Sequence, residues 1–510
     1  MKKKVLLSTL CLLATSIQGF SFCGFYVAKA DTKLFNKTSQ VILVRDGNRT
    51  TVTMANDFKG NVKDFAMVIP VPTVLNRKDI QIAENSLFAK LDAYSGPRLV
   101  EYHESNPCRP QILYDYAESE SIKSLSNVQI VSVDKKRNKD LGVTIEAQYK
   151  VDEYDILILS AKQSGGLKTW LIENGYKIPS EAESVLEPYI KNNMKFFVVK
   201  VDIEKLNQIN GTNQVKKYIK ELDTETVQNL RPLQITYESP KFMLPIRLGM
   251  ANANGEQDMI VYAFTKRGRV ECTNYRTTKI PTNQKIPLFV RQKFGQFYVD
   301  LFDKAHHNEG KEAIFLEYAW NISPQFTGMK CDPCVGPPPI FTDLAKAGVN
   351  WAINSNNRAS GNVFFTRLHV RYSRETHPRD LEFQVTPNKE HFQARYILTN
   401  RGTGDLTCEA GQKYCAKVVK ERANELVNLE KLTDWNTMDH ASYVKEYYSL
   451  LLDKGLLKNV KVEDNRNESP IIGNNFPDPR KGLKIFTLFG LIILITLFYL
   501  NKKSEILKIR

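Results

Sequence analysis

Short apolar runs broken by turn residues open the chain and predict antiparallel strands. Residues 41–44 and 50–54 are β-rich and flank Arg45-Asp46-Gly47-Asn48-Arg49, where Asp-Gly suits a hairpin because both turn positions tolerate positive φ. A third strand of the same meander is expected at residues 65–71, ending at Pro70 and Pro72 because proline cannot donate to a ladder. Residues 154–202 then alternate: a strand at 156–159, a helix at 167–174 closed by Gly175, a second helix started by the capping pattern Ser180-Glu181-Ala182-Glu183, and a strand at 196–201. Strands at 246–250, 259–265 and 270–275 follow, then a helix at 292–306, a strand at 313–319, and a hairpin joining 363–372 to 381–385. Two amphipathic helices come last, with stripes of Val419, Ala423, Leu426 and Val427, and of Val444, Tyr447, Tyr448 and Leu451. The expected fold class is α+β: a largely antiparallel β ectodomain with interspersed helices, C-terminal helices and a single transmembrane helix, with a candidate subdomain boundary near residue 240.

The two ends both point to a membrane. Residues 1–21 read as a signal peptide: Lys2, Lys3 and Lys4, an apolar run from Val5 to Ala14, and Gly19 and Ser21 before the cut, which makes Phe22 the mature N-terminus. Residues 483–500 are apolar except for Lys484, Thr487, Gly490 and Thr496. Such a run spans about 27 Å as a helix, close to a hydrocarbon core of about 30 Å. Residues 22–459 are thus expected outside the cytoplasm, on a stalk at 460–481 rich in Asn, Pro and charge, with 501–510 as a cytoplasmic tail. A lipid-anchored Cys23 is disfavoured, because Phe22 stands where that signal needs a small residue.

Composition is that of an ordinary globular protein, with 25% charged and 42% apolar residues. The formal charge is +15; removing the three leader lysines leaves +12, and removing the tail's four basic residues and Glu505 leaves +9. That excess favours anionic partners, while the compartment argues against nucleic acid. Of eight cysteines, Cys11 leaves with the leader. The remaining odd number predicts bridges among Cys23, Cys108, Cys331, Cys334, Cys408 and Cys415, with close spacing favouring Cys331/Cys334 and Cys408/Cys415, Cys23 joining Cys108, and Cys272 unpaired.

Several motifs in order carry a resemblance. Phe22-Cys23-Gly24-Phe25-Tyr26-Val27, Phe65-Ala66-Met67-Val68-Ile69-Pro70-Val71-Pro72, Tyr154-Asp155-Ile156 running into Gly166-Leu167-Lys168-Thr169-Trp170-Leu171 and Asn174-Gly175-Tyr176, Phe365-Thr366-Arg367-Leu368-His369, and Phe392-Gln393-Ala394-Arg395-Tyr396 resemble a bacterial family known as domain of unknown function 2330. The resemblance runs from about Phe22 to about Trp435. It implies an exported bacterial protein, often membrane-associated, and offers no catalytic residue to carry over. Cys272 looks like a departure from the family pattern.

The chemistry is sparse. Cys331-Asp332-Pro333-Cys334 has redox-motif spacing, but three prolines at 337–339 follow where a thiolate-stabilising helix should start, so a structural bridge is expected. Zinc is disfavoured because six residues separate Cys408 from Cys415. His103 near Cys108 lacks the spatial warrant of a triad, and His306-His307 at a helix end reads as a charge partner of that end. The Asn-x-Ser/Thr sites at Asn36, Asn48, Asn210, Asn321 and Asn467 would be acceptors only in a eukaryotic source. There is no P-loop, zincin or G-x-S-x-G motif, so no catalytic residue, metal or cofactor is assigned. Alternation puts Arg367, His369 and Arg371 on one face of the strand 365–373. Either they pair with acids such as Glu382 on a neighbouring strand, or they lie unpaired in a concavity and bind an anion. The leading reading is a membrane-anchored protein with a binding or envelope-structural role toward an unknown protein or anionic ligand; the alternative is an anchored extracytoplasmic hydrolase of unrecognised type.

Overall fold

The computed structural model describes residues 25–28, 35–36, 39–55, 57–59, 64–109, 142–174, 182–202, 227–229, 231–250, 255–334, 336–354, 356 and 358–457. The leader, Phe22, Cys23, the stalk, residues 483–500 and the tail lie outside them. So do Gly175, Ser180 and Glu181. Among the described residues no helix is long and apolar enough to cross a membrane. The fold class is α+β, with mixed sheets.

The chain divides into two units, and the division is discontinuous rather than at one boundary near 240. The first comprises residues 1–100, 116–283 and 295–396, the second 101–115, 284–294 and 397–510.

The first unit is built on two large sheets. In the larger, the order is Thr277–Lys279, Ile314–Asn321, Phe364–Tyr372, Gln257–Thr265, Ser39–Asp46, Arg49–Ala55, Leu233–Glu238 and Ile80–Ile82, with Phe392–Gln393 also on Ile314–Asn321. Two pairings are parallel: Gln257–Thr265 with Ser39–Asp46, and Thr277–Lys279 with Ile314–Asn321. The expected hairpin forms, but Asp46 pairs with Arg49, so its turn is Gly47-Asn48, one position after Asp46-Gly47, and Gly47 supplies φ of 56°. Helix Asn85–Ser95 lies over one face, burying Leu87, Phe88, Leu91 and Tyr94 with Tyr262, Phe264, Tyr318 and Phe365.

The second sheet is wholly antiparallel, in the order Phe25–Ala28, Asp64–Val71, Lys195–Asp202, Tyr154–Ala161 and Val143–Val151. Helices Ser164–Glu173 and Ala182–Lys191 cover it through Leu167, Leu171, Leu186 and Tyr189. The strand expected to complete the opening meander therefore pairs elsewhere. Among the described residues its pairing with Phe25–Ala28 runs from Phe65 to Val68, and its other edge, Pro70 included, pairs with Lys195–Asp202.

Two further expectations are corrected. Phe364–Tyr372 makes no hairpin with Leu381–Val385, because both its edges are already taken by Gln257–Thr265 and Ile314–Asn321. Leu381–Val385 pairs instead with Met243–Leu244 and Val270–Cys272. The run expected as a strand at 246–250 is the short helix Arg247–Met250, with Arg247 N and the preceding Ile246 N donating to the Asp380 carboxylate.

The second unit centres on helix Glu409–Thr433 and helix Ser442–Asp453, with Leu406, Cys415, Leu451 and Leu456 between them. Cys408 caps the first helix and is bridged to Cys108, not to Cys415. Seven steps of helical rise put Cys415 about 10 Å along the axis from Cys408, beyond disulfide reach. Arg401 is buried against Glu104 at 3.1 Å, Glu425 at 2.5 Å and Glu421.

Candidate functional site

The predicted row Arg367, His369 and Arg371 does share one face of Phe364–Tyr372, but that face is covered and its charges are met. The key partner is Glu317, a lone acid in an otherwise apolar strand. The register slips there, with Leu316 opposite Leu368 and Tyr318 opposite Arg367, so Glu317 is the extra residue of a β-bulge. The bulge turns a fully buried carboxylate toward the row. It accepts from Arg367 Nε at 2.5 Å, faces His369 Nδ1 at 2.9 Å, and also accepts from the Tyr298 hydroxyl. Asp258, directly across from Arg371, takes Arg371 Nε at 2.9 Å and faces His369 Nε2 at 3.2 Å. Asp92 takes Arg367 Nη1 at 2.6 Å, and Asp303 takes Arg371 Nη1. Phe302 closes the site by stacking on His369 with centroids 3.8 Å apart.

The electrostatics follow from this geometry. Burial alone would raise the Glu317 pKa, but the charges of Arg367 and His369 overcome it and hold it down to about 2. His369 has the converse balance: burial lowers its pKa, while Glu317 and Asp258 raise it further and win. Two guanidinium groups and His369 meet four carboxylates, so no positive charge is left over for an anion. Glu382, the expected partner, is not among the four.

An open site lies elsewhere in the first unit. A cleft of about 270 Å³ is lined by residues that include Pro188 and Tyr189 at the end of helix Ala182–Lys191, the loop from Ser239 to Arg247, and Arg379, Asp380 and Glu382. Its base is a knot at buried Asp380. Oδ1 accepts from the Tyr189 hydroxyl at 2.7 Å, Ile246 N at 3.0 Å and Arg247 N at 3.2 Å. One wall is fixed by buried Arg45, which donates to the carbonyls of Ser239 at 3.0 Å and Pro240 at 3.1 Å and lies over the Phe242 ring.

Lys241, Arg247 and Arg379 all line this cleft. Among the described residues, no side-chain hydrogen bond is donated by any of the three, and their one ion pair is Arg247 Nε to Asp380 Oδ2 at 3.8 Å. The arrangement can neutralise and orient an anion. Sequence reasoning misses this group because Lys241 and Arg247 lie in one segment and Arg379 in another far along the chain, and only the fold brings them to one cleft.

A search against family models matches residues 18–384 to an uncharacterized protein family conserved in bacteria, DUF2330. This chain belongs to that family. The matched stretch contains both the ionic row and the cleft, and stops before the motif at Phe392 and the C-terminal helices. No curated protein and no solved structure is matched.

The remaining candidates are accounted for. Cys331 is buried and bridged to exposed Cys334. Their loop is held by Tyr94 and Tyr318 hydroxyls on the Lys330 carbonyl at 2.8 and 2.9 Å, and by Arg98 on the Pro333 carbonyl at 3.0 Å. The next helix in the chain begins only at Phe341, so neither sulfur sits at a helix N-terminus. Cys108 is in a disulfide and offers no thiolate beside His103. Cys272 and Cys415 are unbridged and buried, and burial pushes both thiols up. His306 is buried against Phe302 near the end of helix Phe294–Asn308. Among the described residues no group of three or more His, Cys, Asp or Glu is placed to hold a metal.

Proposed function

We propose that this family member is a membrane-anchored extracytoplasmic binding protein that receives a small anionic ligand in the cleft of Lys241, Arg247 and Arg379. One observation carries the reading: among the described residues the side chains of these cations donate no hydrogen bond and their one ion pair is the long contact of Arg247 with Asp380, whereas Arg367, His369, Arg371 and Arg401 are held at short range by carboxylates. A buried cation must be paired, but one left facing water in a cleft can trade hydration for a ligand. Export and anchoring rest on the basic and apolar leader and on residues 483–500, and the Cys108–Cys408 and Cys331–Cys334 bridges suit an oxidising compartment.

The hydrolase alternative would draw on Asp380 and Tyr189, whose pKa values burial raises. Yet Oδ1 of Asp380 already accepts three hydrogen bonds and Tyr189 is one of the donors, so both read as scaffold. The test is to purify the full chain from native envelope and identify retained small molecules by mass spectrometry. An anion retained by the wild type and lost from the Arg247→Gln/Arg379→Gln double variant is the expected result. Identical contents in the two proteins would refute the cleft as the ligand site.

A further inference from the structure

Resting on that reading of the cleft, we infer that its occupant is a monocarboxylate carried on a small apolar body. The charge count sets the head group. Lys241, Arg247 and Arg379 bring three positive charges and Asp380 and Glu382 two negative ones, so the formal excess is a single positive charge. A carboxylate balances it; a phosphate monoester near its dianionic form would overfill it and face Glu382 across the cleft.

The form of the cations agrees. A guanidinium offers a planar fork that matches the two oxygens of a carboxylate. Asp380 acts as a positioning residue, since it accepts from Arg247 N at 3.2 Å and stands 3.8 Å from Arg247 Nε, fixing the base of the fork while the side chain lines the cleft.

The walls describe the rest of the ligand. Pro70, Pro72, Pro188, Pro240 and Pro245 line the cleft and have no amide to donate, so these surfaces offer contact rather than hydrogen-bond donors. Met194 and Met243 add unbranched side chains that adapt to an apolar group. At about 270 Å³ the space lies near the lower end of the usual range of about 300–1,000 Å³ for small-molecule sites, which favours a single ring or short chain over a folded partner's surface.

The test titrates the full chain in detergent with phenylacetate, 2-phenylethanol, phenyl phosphate and inorganic phosphate, followed by calorimetry. Phenylacetate should bind, 2-phenylethanol and inorganic phosphate should not, and Arg247→Gln should weaken phenylacetate by about tenfold or more, the scale of one lost charge-assisted pair. Glu382→Gln is exposed and should leave the fold intact while shifting preference toward phenyl phosphate. Stronger binding of phenyl phosphate by the wild type, lost in Arg247→Gln, would overturn the carboxylate assignment and leave the cleft as the site. Phenylacetate binding unmoved by Arg247→Gln would overturn both. Failure of phenylacetate to bind the folded wild type would overturn the inference.

Discussion

Arg371 and Arg379 stand at either side of one loop, yet they meet opposite fates. Arg371 lies over the Phe302 ring and is held by Asp258 and Asp303, in a row whose acids outnumber its bases. Arg379 lines a cleft with its guanidinium unspent among the described residues. The difference is cover. Helix Phe294–Asn308 and helix Asn85–Ser95 bring Tyr298, Phe302, Asp303 and Asp92 onto the row at Arg367–Arg371. A charge taken out of water must find opposite charge and hydrogen bonds or cost several kcal/mol, so the covered row is paired throughout. Lys241 and Arg379 are exposed at the cleft, keep their water and bear no such demand. A cation's pairing therefore reports what lies over it, and the unpaired ones are where a ligand can act.

The largest effect should come from breaking the covered row. Arg367→Gln leaves Glu317 buried with a lost partner, and should cost about 3–5 kcal/mol as measured by denaturant unfolding. Anion binding at the cleft should be unchanged in the fraction that remains folded. A loss below about 1 kcal/mol would mean that Arg367 and Glu317 do not form the buried pair described above.

Acid titration sharpens the same point. Glu317 is held down to about 2 against an unfolded value near 4.5, so its contribution is present above pH 4.5 and is lost as pH falls toward 2. The stability gap between wild type and Glu317→Gln should therefore shrink over that interval. His369 carries the opposite sign: its raised pKa gives a contribution complete below about pH 6.5 and lost as pH rises through the folded value. The gap between wild type and His369→Gln should narrow on the alkaline side, as read from thermal melts across pH.

Much of this was legible in the sequence, and the failures share a cause. Alternation placed Arg367, His369 and Arg371 on one face, and the hairpin at Asp46–Arg49 followed from Gly47. Helices Glu409–Thr433 and Ser442–Asp453 follow from their apolar stripes, and a helix is expected at 292–306 where Phe294–Asn308 stands. Partners across long separations did not follow. Strand periodicity fixes which way a side chain points but not which strand lies beside it, so Glu382 was named where Glu317 stands. A signal for Glu317 existed, since a single acid inside Ile314–Asn321 cannot be buried without a cation. The cleft left no such signal: Lys241, Arg247 and Arg379 are each ordinary loop or helix-start cations until the fold brings them together.

Arg45 falls between the two regions and tests the comparison next. It is buried and makes no ion pair among the described residues, with Glu238 acting on it only through its charge, and its guanidinium is satisfied by three carbonyls and Thr50 Oγ1. Arg45→Gln should cost about 1–3 kcal/mol, the price of unmet buried acceptors, and should also weaken ligand binding because the Ser239–Pro240 wall loosens.

The smallest effect on stability should come from Arg379→Gln. This side chain is exposed and makes no described hydrogen bond or ion pair, so its removal should change unfolding free energy by no more than about 0.5 kcal/mol. Phenylacetate affinity should nonetheless fall, since the cleft would lose one of three positive charges and with it the formal excess that balances a carboxylate. The pair of measurements separates the two regions more cleanly than either alone. If Arg379→Gln instead destabilised the protein as Arg367→Gln does, without weakening the ligand, the cleft would be a second covered network and the distinction between its cations and the buried row would collapse.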